Sequence, residues 1–204
     1  MTVLLAGATG LVGSRVLALR PDIVPVGRRA TGVAGEILAD FAALSPLPPA
    51  LVAVSALGTT IRAAGSQAAF RAVDHDAVLA FARAAQAAGV RHFIVITAVG
   101  ADAASGVFYS RVKGEVERGL AALGFDRLDI VQPGLILGSR AERRPVEAFF
   151  QRLAPLLSPL FVGTLGKYGA ISADALARAV AALCDRSEPG RFVHQNPDIA
   201  ALAT

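Results

Sequence analysis

The opening segment MTVLLAGATGLVGSRVL constrains this chain most: an apolar run, then Gly7, Gly10 and Gly13, then the start of a helix-like pattern. Residues 3–6 are expected to form the first buried strand. Gly7 lets the backbone turn sharply, and Gly10 removes the side chain where a pyrophosphate must approach. Gly13 lets the following helix pack closely on the strand. The helix N-terminus then offers N–H groups and a positive dipole end to phosphates. The spacing is GxxGxxG rather than the commoner GxGxxG, so the strand–turn–helix context carries the weight. The bland alternative is a glycine-rich turn with no ligand.

A second strand is expected at residues 23–26, ending in Gly27-Arg28-Arg29. NAD-preferring folds place an acidic residue near there to bind the ribose 2′-hydroxyl, and this chain has none. Two guanidiniums instead suit a 2′-phosphate, which they grip with charge-assisted bonds. The expected cofactor is therefore NADP(H) in preference to NAD(H). A solvated arginine pair is the alternative.

The chain's 204 residues fit one domain with a sizeable core. A single cysteine, Cys184, excludes an intrachain disulfide framework and fits a reducing cytosol, so a cytoplasmic location is expected. The start lacks a basic n-region and is broken by glycines, unlike a secretory signal. The longest uncharged stretch, residues 41–61, holds Pro46, Pro48 and Pro49, which argues against a membrane span. A net charge of +4 without a basic run interleaved with aromatics gives no nucleic-acid signature.

Strand and helix patterns then alternate. Residues 36–41 read as a short third strand and 50–56 as an almost wholly apolar one, suited to a sheet covered on both faces. Residues 70–88 read as a helix stopped by Gly89, 93–96 as a strand, 109–123 as a helix closed by Gly124, and 128–132 as a strand closed by Pro133-Gly134. A further helix is expected from about Ser172 to Cys184. The alternation implies βαβ units in an α/β, Rossmann-like, doubly wound parallel sheet over residues 1–204. Residues 139–204 are expected to contribute a small cap.

The chemistry is expected at Tyr109-Ser-Arg-Val-Lys113, where a phenol and an ammonium four residues apart share one helical face. A phenol of ordinary pKa, about 10, is a poor acid–base at neutral pH, and a nearby Lys113 cation with an oxidised nicotinamide would favour phenolate. His75, His92 and His194 are scattered, and no His/Cys/Asp cluster has metal-ligand spacing, so no metal is expected. His92 reads as the solvent-facing entrance of a strand, and Asp74 and Asp76 as helix-start residues that favour its dipole. Arg140, Glu142 and Arg144 suit either an anionic substrate group or an ion-pair network holding a loop. Residues 153–161 are apolar but broken by Pro155 and Pro159, suiting a lid or a partner-facing patch.

On these motifs the chain resembles the short-chain dehydrogenase/reductase superfamily over nearly its whole length. More narrowly, it looks like the atypical, epimerase-related branch that includes the Tat-interacting-protein-like oxidoreductases. GATGLVG (7–13) and YSRVKGEVE (109–117) are superfamily-level signals. SALGTT (55–60), FRAVDHD (70–76), VGAD (99–102), QPGLILG (132–138) and SRAERRPVE (139–147) point to the narrower group. The resemblance implies that Gly7, Thr9, Gly10, Leu11, Val12 and Gly13 form the cofactor turn. It implies that Asp40 and Phe41 sit at the adenine, that Ala56, Leu57, Gly58 and Thr59 line the cofactor, and that Pro133, Gly134 and Leu135 lie beside the nicotinamide. Tyr109 would be the general acid–base, with Lys113 binding the ribose and lowering the Tyr109 pKa. The family's serine at the end of the fifth strand has no match in Ile96-Thr97-Ala98; Thr97 is the hydroxyl that stands nearest.

These residues imply an NADP(H)-dependent oxidoreductase or epimerase-like enzyme acting on a small carbonyl or alcohol substrate, with a homodimer as a common assembly of the superfamily. A non-catalytic NADPH-binding sensor is the second reading. A flavin or biliverdin reductase on a similar scaffold, which would not require the Tyr–Lys pair, is the third.

Overall fold

The computed structural model describes residues 2–138 and 169–204. The first strand, β1 (Val3–Ala6), sends Val3 and Leu5 to one face of the sheet and Leu4 and Ala6 to the other. Every one of its positions is buried, which is why its sequence runs apolar without alternating. Around it lie β2 (Ile23–Gly27), β3 (Ile37–Leu38), β4 (Val52–Ser55), β5 (His92–Ile96), β6 (Arg127–Val131) and β9 (Gly190–His194). All pair in parallel, in the order β3-β2-β1-β4-β5-β6-β9. The order reverses between β1 and β4, and a crevice opens there beyond the carboxyl ends of the strands. This is the doubly wound parallel sheet expected from the sequence.

Helices cover both faces. On one side α1 (Gly13–Leu19), α6 (Ala173–Leu183) and α7 (Asn196–Leu202) pack over Val3, Leu5, Val54, Ile94 and Val131. On the other, α4 (Ala77–Ala87) and α5 (Phe108–Ala121) cover Leu4, Ala53, Phe93 and Ile130. Phe93 lies between Phe81 and Phe125, with ring centroids 5.9 and 5.1 Å apart.

Four elements depart from expectation. The third strand shrinks to Ile37–Leu38, because the Asp40 carboxylate accepts from the Ala42 N–H at 3.1 Å and starts a 3₁₀ turn, Phe41–Ala43. The helix expected at 70–88 begins earlier. It follows a short helix, α2 (Ile61–Ala64), and runs from α3 (Gln67–Arg71) through a π-helical turn, Ala72–Asp76, into α4. Residues 170–204, expected to help form a cap, instead complete the body: β9 becomes the seventh strand and α6 enters the core. The short β8 (Ala170–Ser172) pairs in parallel with β7 (Leu135–Leu137) as a separate two-stranded sheet. Residues 139–168 lie outside the described residues.

The fourth departure is His92. It is buried rather than solvent-facing, and its Nε2 meets Asp129 Oδ2 at 2.6 Å. His194 Nε2 meets Asp129 Oδ1 at 2.7 Å, and Arg127 donates to the same carboxylate from Nε and another guanidinium nitrogen at 2.6 and 2.9 Å. Two histidines that look scattered in sequence thus converge on one carboxylate across β5, β6 and β9.

Candidate functional site

The glycine turn is built on close backbone approach. Gly7 adopts φ +86°, and a Cβ there would come within 2.5 Å of the Ala56 carbonyl. A Cβ on Gly13 would lie 2.1 Å from the Gly7 oxygen, so α1 can dock on the turn only with glycine at that position. A Cβ on Gly10 would meet Gly7 O alone, at 3.1 Å. Gly10 therefore leaves a bare backbone wall facing outward, as a group approaching closely would need.

That wall belongs to a cleft of about 1180 Å³ at the topological switch point. Gly7, Thr9, Gly10 and Leu11 line one side. Arg28 and Arg29, from the end of β2, line it together with Asp40 and Phe41, and Ala56, Leu57, Gly58 and Thr59 follow from β4. Val12 and Gly13 lie buried just behind the turn. Arg15, which sequence reasoning missed, adds a third guanidinium to the wall; it donates to the Leu11 carbonyl at 2.6 Å and pairs with Asp174 at 2.7 Å. Glu36 ties down the loop after the arginine pair by accepting from the N–H and hydroxyl of Thr31 at 2.5 and 2.6 Å. The donor set, guanidiniums and a glycine-rich backbone turn, fits the phosphates of a dinucleotide.

Tyr109 and Lys113, on α5, lie beyond that wall, and Asp74 joins them to it. The π-helical turn rotates Asp74 inward until it is 1% exposed. One carboxylate oxygen accepts from the backbone N–H of Thr59, in the cleft wall, at 2.8 Å. The other lies 2.7 Å from the Lys113 ammonium, itself buried. The reading of Asp74 as a helix-start residue is therefore corrected: it sits inside a continuous helical run, facing the core. Burial raises its carboxyl above the ordinary value, against the opposing pull of Lys113 and Thr59.

The same carboxylate acts on Tyr109. Desolvation, and after it the Asp74 charge, push the phenol up to about 12, opposite to the lowering expected from Lys113 alone. Tyr109 stays 37% exposed, so solvent moderates the effect, but both causes push the same way. Its ring packs on Phe70 with centroids 5.6 Å apart.

Thr97 is buried at the end of β5, and its hydroxyl donates to Glu117 Oε1 at 2.6 Å. Glu117 also accepts from Gln132 at 3.0 Å, and burial raises its carboxyl against those two hydrogen bonds. A hydroxyl has one proton to give. Thr97 gives it to Glu117, so the structure does not turn it toward a substrate oxygen. Pro133, Gly134 and Leu135 do not line the cleft; the Gly134 N–H donates to Asn196 at 3.0 Å, and Asn196, at the start of α7, was invisible to sequence reasoning. Arg140 and Arg144, the candidate substrate residues, and the apolar stretch 153–161 lie outside the described residues.

No family model matches the chain. It is 36% identical over 198 residues to the Fmp52 mitochondrial protein of Emericella nidulans, a match covering 86% of this chain and 81% of that one. It is 37% identical over 163 residues to HTATIP2 of Rattus norvegicus, covering 72% and 67%. Among solved structures, MoeE5 in complex with UDP-glucose and NAD superposes with a TM-score of 0.70 at 19% identity, over 95% of this chain and 75% of that one. Human epimerase family protein SDR39U1 with NADPH superposes with a TM-score of 0.66 at 18% identity, over 97% and 75%. The Fmp52 relatives are named mitochondrial, which overturns the cytoplasmic location expected above. A lone cysteine was a poor guide to compartment: Cys184 is buried against the Val180 carbonyl, and burial pushes its thiol up to about 12. Among the described residues no helix is long and apolar enough to cross a membrane.

Proposed function

We propose that the chain, which belongs to the family of Fmp52 and HTATIP2, is an oxidoreductase of the epimerase-like short-chain dehydrogenase/reductase type that uses NADP(H) in preference to NAD(H). Its substrate would be a small carbonyl or alcohol compound. The observation that carries this reading is the Asp74 junction, which links the wall of a dinucleotide-sized cleft at Thr59 to the Tyr109–Lys113 pair. A nicotinamide dinucleotide held there would supply the hydride chemistry. The protein's part is to grip phosphate with Arg28 and Arg29, hold the glycine turn against the pyrophosphate, and pass a proton at the Tyr109 hydroxyl.

Calorimetric titration with NADPH and NADH side by side tests the reading. NADPH is expected to bind more tightly; equal affinities would remove the phosphate assignment, and binding of neither would leave the turn as scaffold. Replacing both Arg28 and Arg29 with alanine is expected to weaken NADPH roughly 10- to 100-fold while NADH stays within about twofold. Equal weakening of both would sink the arginine assignment.

One observation favours a second reading, a non-catalytic NADPH-binding sensor: the Thr97 proton is given to Glu117, and Ala98 follows it, so the end of β5 offers no free hydroxyl donor. Tight NADPH binding with no turnover across a panel of carbonyl compounds would favour the sensor.

A further inference from the structure

We propose that Arg15 is a further binding residue for the dinucleotide, one that takes the pyrophosphate and so serves NADPH and NADH alike. The proposal rests on the dinucleotide reading above and divides the phosphate work of the cleft between two sets of guanidiniums.

Arginine lines the cleft in two places. Arg28 and Arg29 follow β2, whereas Arg15 lies in α1, directly behind the glycine turn that follows β1. A dinucleotide also carries phosphate in two places: the pyrophosphate at its centre, common to both nicotinamide dinucleotides, and the 2′-phosphate of the adenine ribose, present only in NADP(H). The pyrophosphate belongs where the backbone permits the closest approach, at Gly10, whose added Cβ would meet only the Gly7 oxygen. A direct contact fixes the Arg15 guanidinium to that point. One of its Nη atoms donates at 2.6 Å to the carbonyl of Leu11, the residue after Gly10.

The local backbone makes room for that contact. The Ser14 N–H goes to the Gly10 carbonyl and the Arg15 N–H to the Val12 carbonyl, so the Leu11 carbonyl between them is left to side chains. On its other side the guanidinium is held by Asp174, in the first turn of α6, which accepts from Nε at 2.7 Å. Held in this way, the Arg15 side chain is only 27% exposed. The two contacts use two of the five guanidinium donors, and among the described residues the other three have no partner. Asp174 does not cancel the charge, because its carboxylate is 66% exposed and an ion pair in that much water is weak. The carboxylates that line the cleft are engaged elsewhere: Glu36 with Thr31, Asp40 with the Ala42 N–H, and Asp76 with His75.

A guanidinium with free donors beside a bare backbone turn suits a pyrophosphate. Its planar fork bonds two phosphate oxygens at once, and a side chain already held at both sides loses little rotamer freedom when a ligand arrives. NADPH and NADH carry the same pyrophosphate, so Arg15 adds affinity for both without choosing between them. The choice is left to Arg28 and Arg29, at the end of the neighbouring strand.

Calorimetry on the whole chain tests this with NADPH, NADH, ADP-ribose and adenosine 2′-monophosphate. ADP-ribose carries the pyrophosphate without the 2′-phosphate, and adenosine 2′-monophosphate carries the reverse. Arg15→Met keeps an unbranched stem and removes the charge. It is expected to weaken NADPH, NADH and ADP-ribose by roughly 10-fold or more each, while adenosine 2′-monophosphate stays within about twofold. Asp174→Asn breaks the same ion pair but leaves the guanidinium in place, and should hold every ligand within about threefold of wild type. Circular dichroism on both variants establishes that they are folded. Three results would overturn the proposal. Unchanged binding of ADP-ribose by Arg15→Met makes Arg15 scaffold, weakening of NADPH alone puts it on the 2′-phosphate, and equal losses in Asp174→Asn make it a tie between α1 and α6. Equal wild-type affinities for NADPH and NADH would instead remove the Arg28–Arg29 assignment and leave that of Arg15 standing, so the two readings fail separately.

Discussion

Asp129→Ala is expected to lower the unfolding free energy by about 3–5 kcal/mol, because it strips the partner from three buried donors at once. Arg127 and His92 are almost wholly buried and His194 mostly so, while Asp129 has no exposure at all. Without the carboxylate, the Arg127 guanidinium keeps its contact with Glu188 and its place over the Phe192 ring, 4.2 Å from the centroid, but loses both bonds inside the sheet. The cost arises from stranding a buried charge rather than from losing the pair's own attraction. Chemical denaturation of wild type, Asp129→Ala and Asp129→Asn measures it. Asp129→Asn should fall between the other two, since its amide oxygen still accepts. A loss below about 1 kcal/mol for Asp129→Ala would show that solvent or rearranged side chains satisfy the donors.

The pH dependence has a definite sign. Burial works to raise the Asp129 carboxyl, but the hydrogen bonds from His194, His92 and Arg127 outweigh it and hold the group well below the usual carboxylate range. A group depressed in the folded state contributes its stability in full above its unfolded pKa, about 4, and loses it as the pH falls toward the folded value. The gap between wild type and Asp129→Ala should therefore be flat from neutrality down to about pH 4 and narrow below that.

Elements whose instructions are local could be read from the sequence; those made by pairing could not. The strand at Val3–Ala6, the glycine turn and the apolar strand within residues 50–56 announce themselves through composition and punctuation. β9 does not, because GRFVH is half-exposed and becomes a strand only by lying along β6. The Asp129 cluster is hidden for the same reason. His92 pairs in register with Arg127, and His194 with Val131, so both histidines reach Asp129 diagonally on one face, through a strand order that spacing cannot reveal. Asp74 did leave a trace: Phe70, Val78, Phe81 and Ala85 form an apolar helical stripe with that acid among them. An acid in such a stripe calls for a buried partner, and Lys113 stands likewise on the inner face of α5. What the stripe could not disclose is the π turn that brings the two together.

Tyr109→Phe carries the largest functional effect expected of this chain: a loss of roughly 10²- to 10⁴-fold in NADPH-dependent reduction of carbonyl compounds, with NADPH affinity held within about twofold. The substitution removes one oxygen and keeps the ring, so the contact with Phe70, which also meets Phe108 at 5.8 Å, is retained. Tyr109 does not line the cleft that holds the glycine turn and the arginine pair, so dinucleotide binding has no reason to weaken. Turnover assays on a carbonyl panel, run beside calorimetry on both proteins, read the two quantities independently. A parallel fall in affinity and turnover would assign Tyr109 to binding, and unchanged turnover would remove it from the chemistry. Loss of turnover alone is what a proton donor predicts: without the hydroxyl, the developing alkoxide must draw its proton from water, while the grip on the cofactor is untouched.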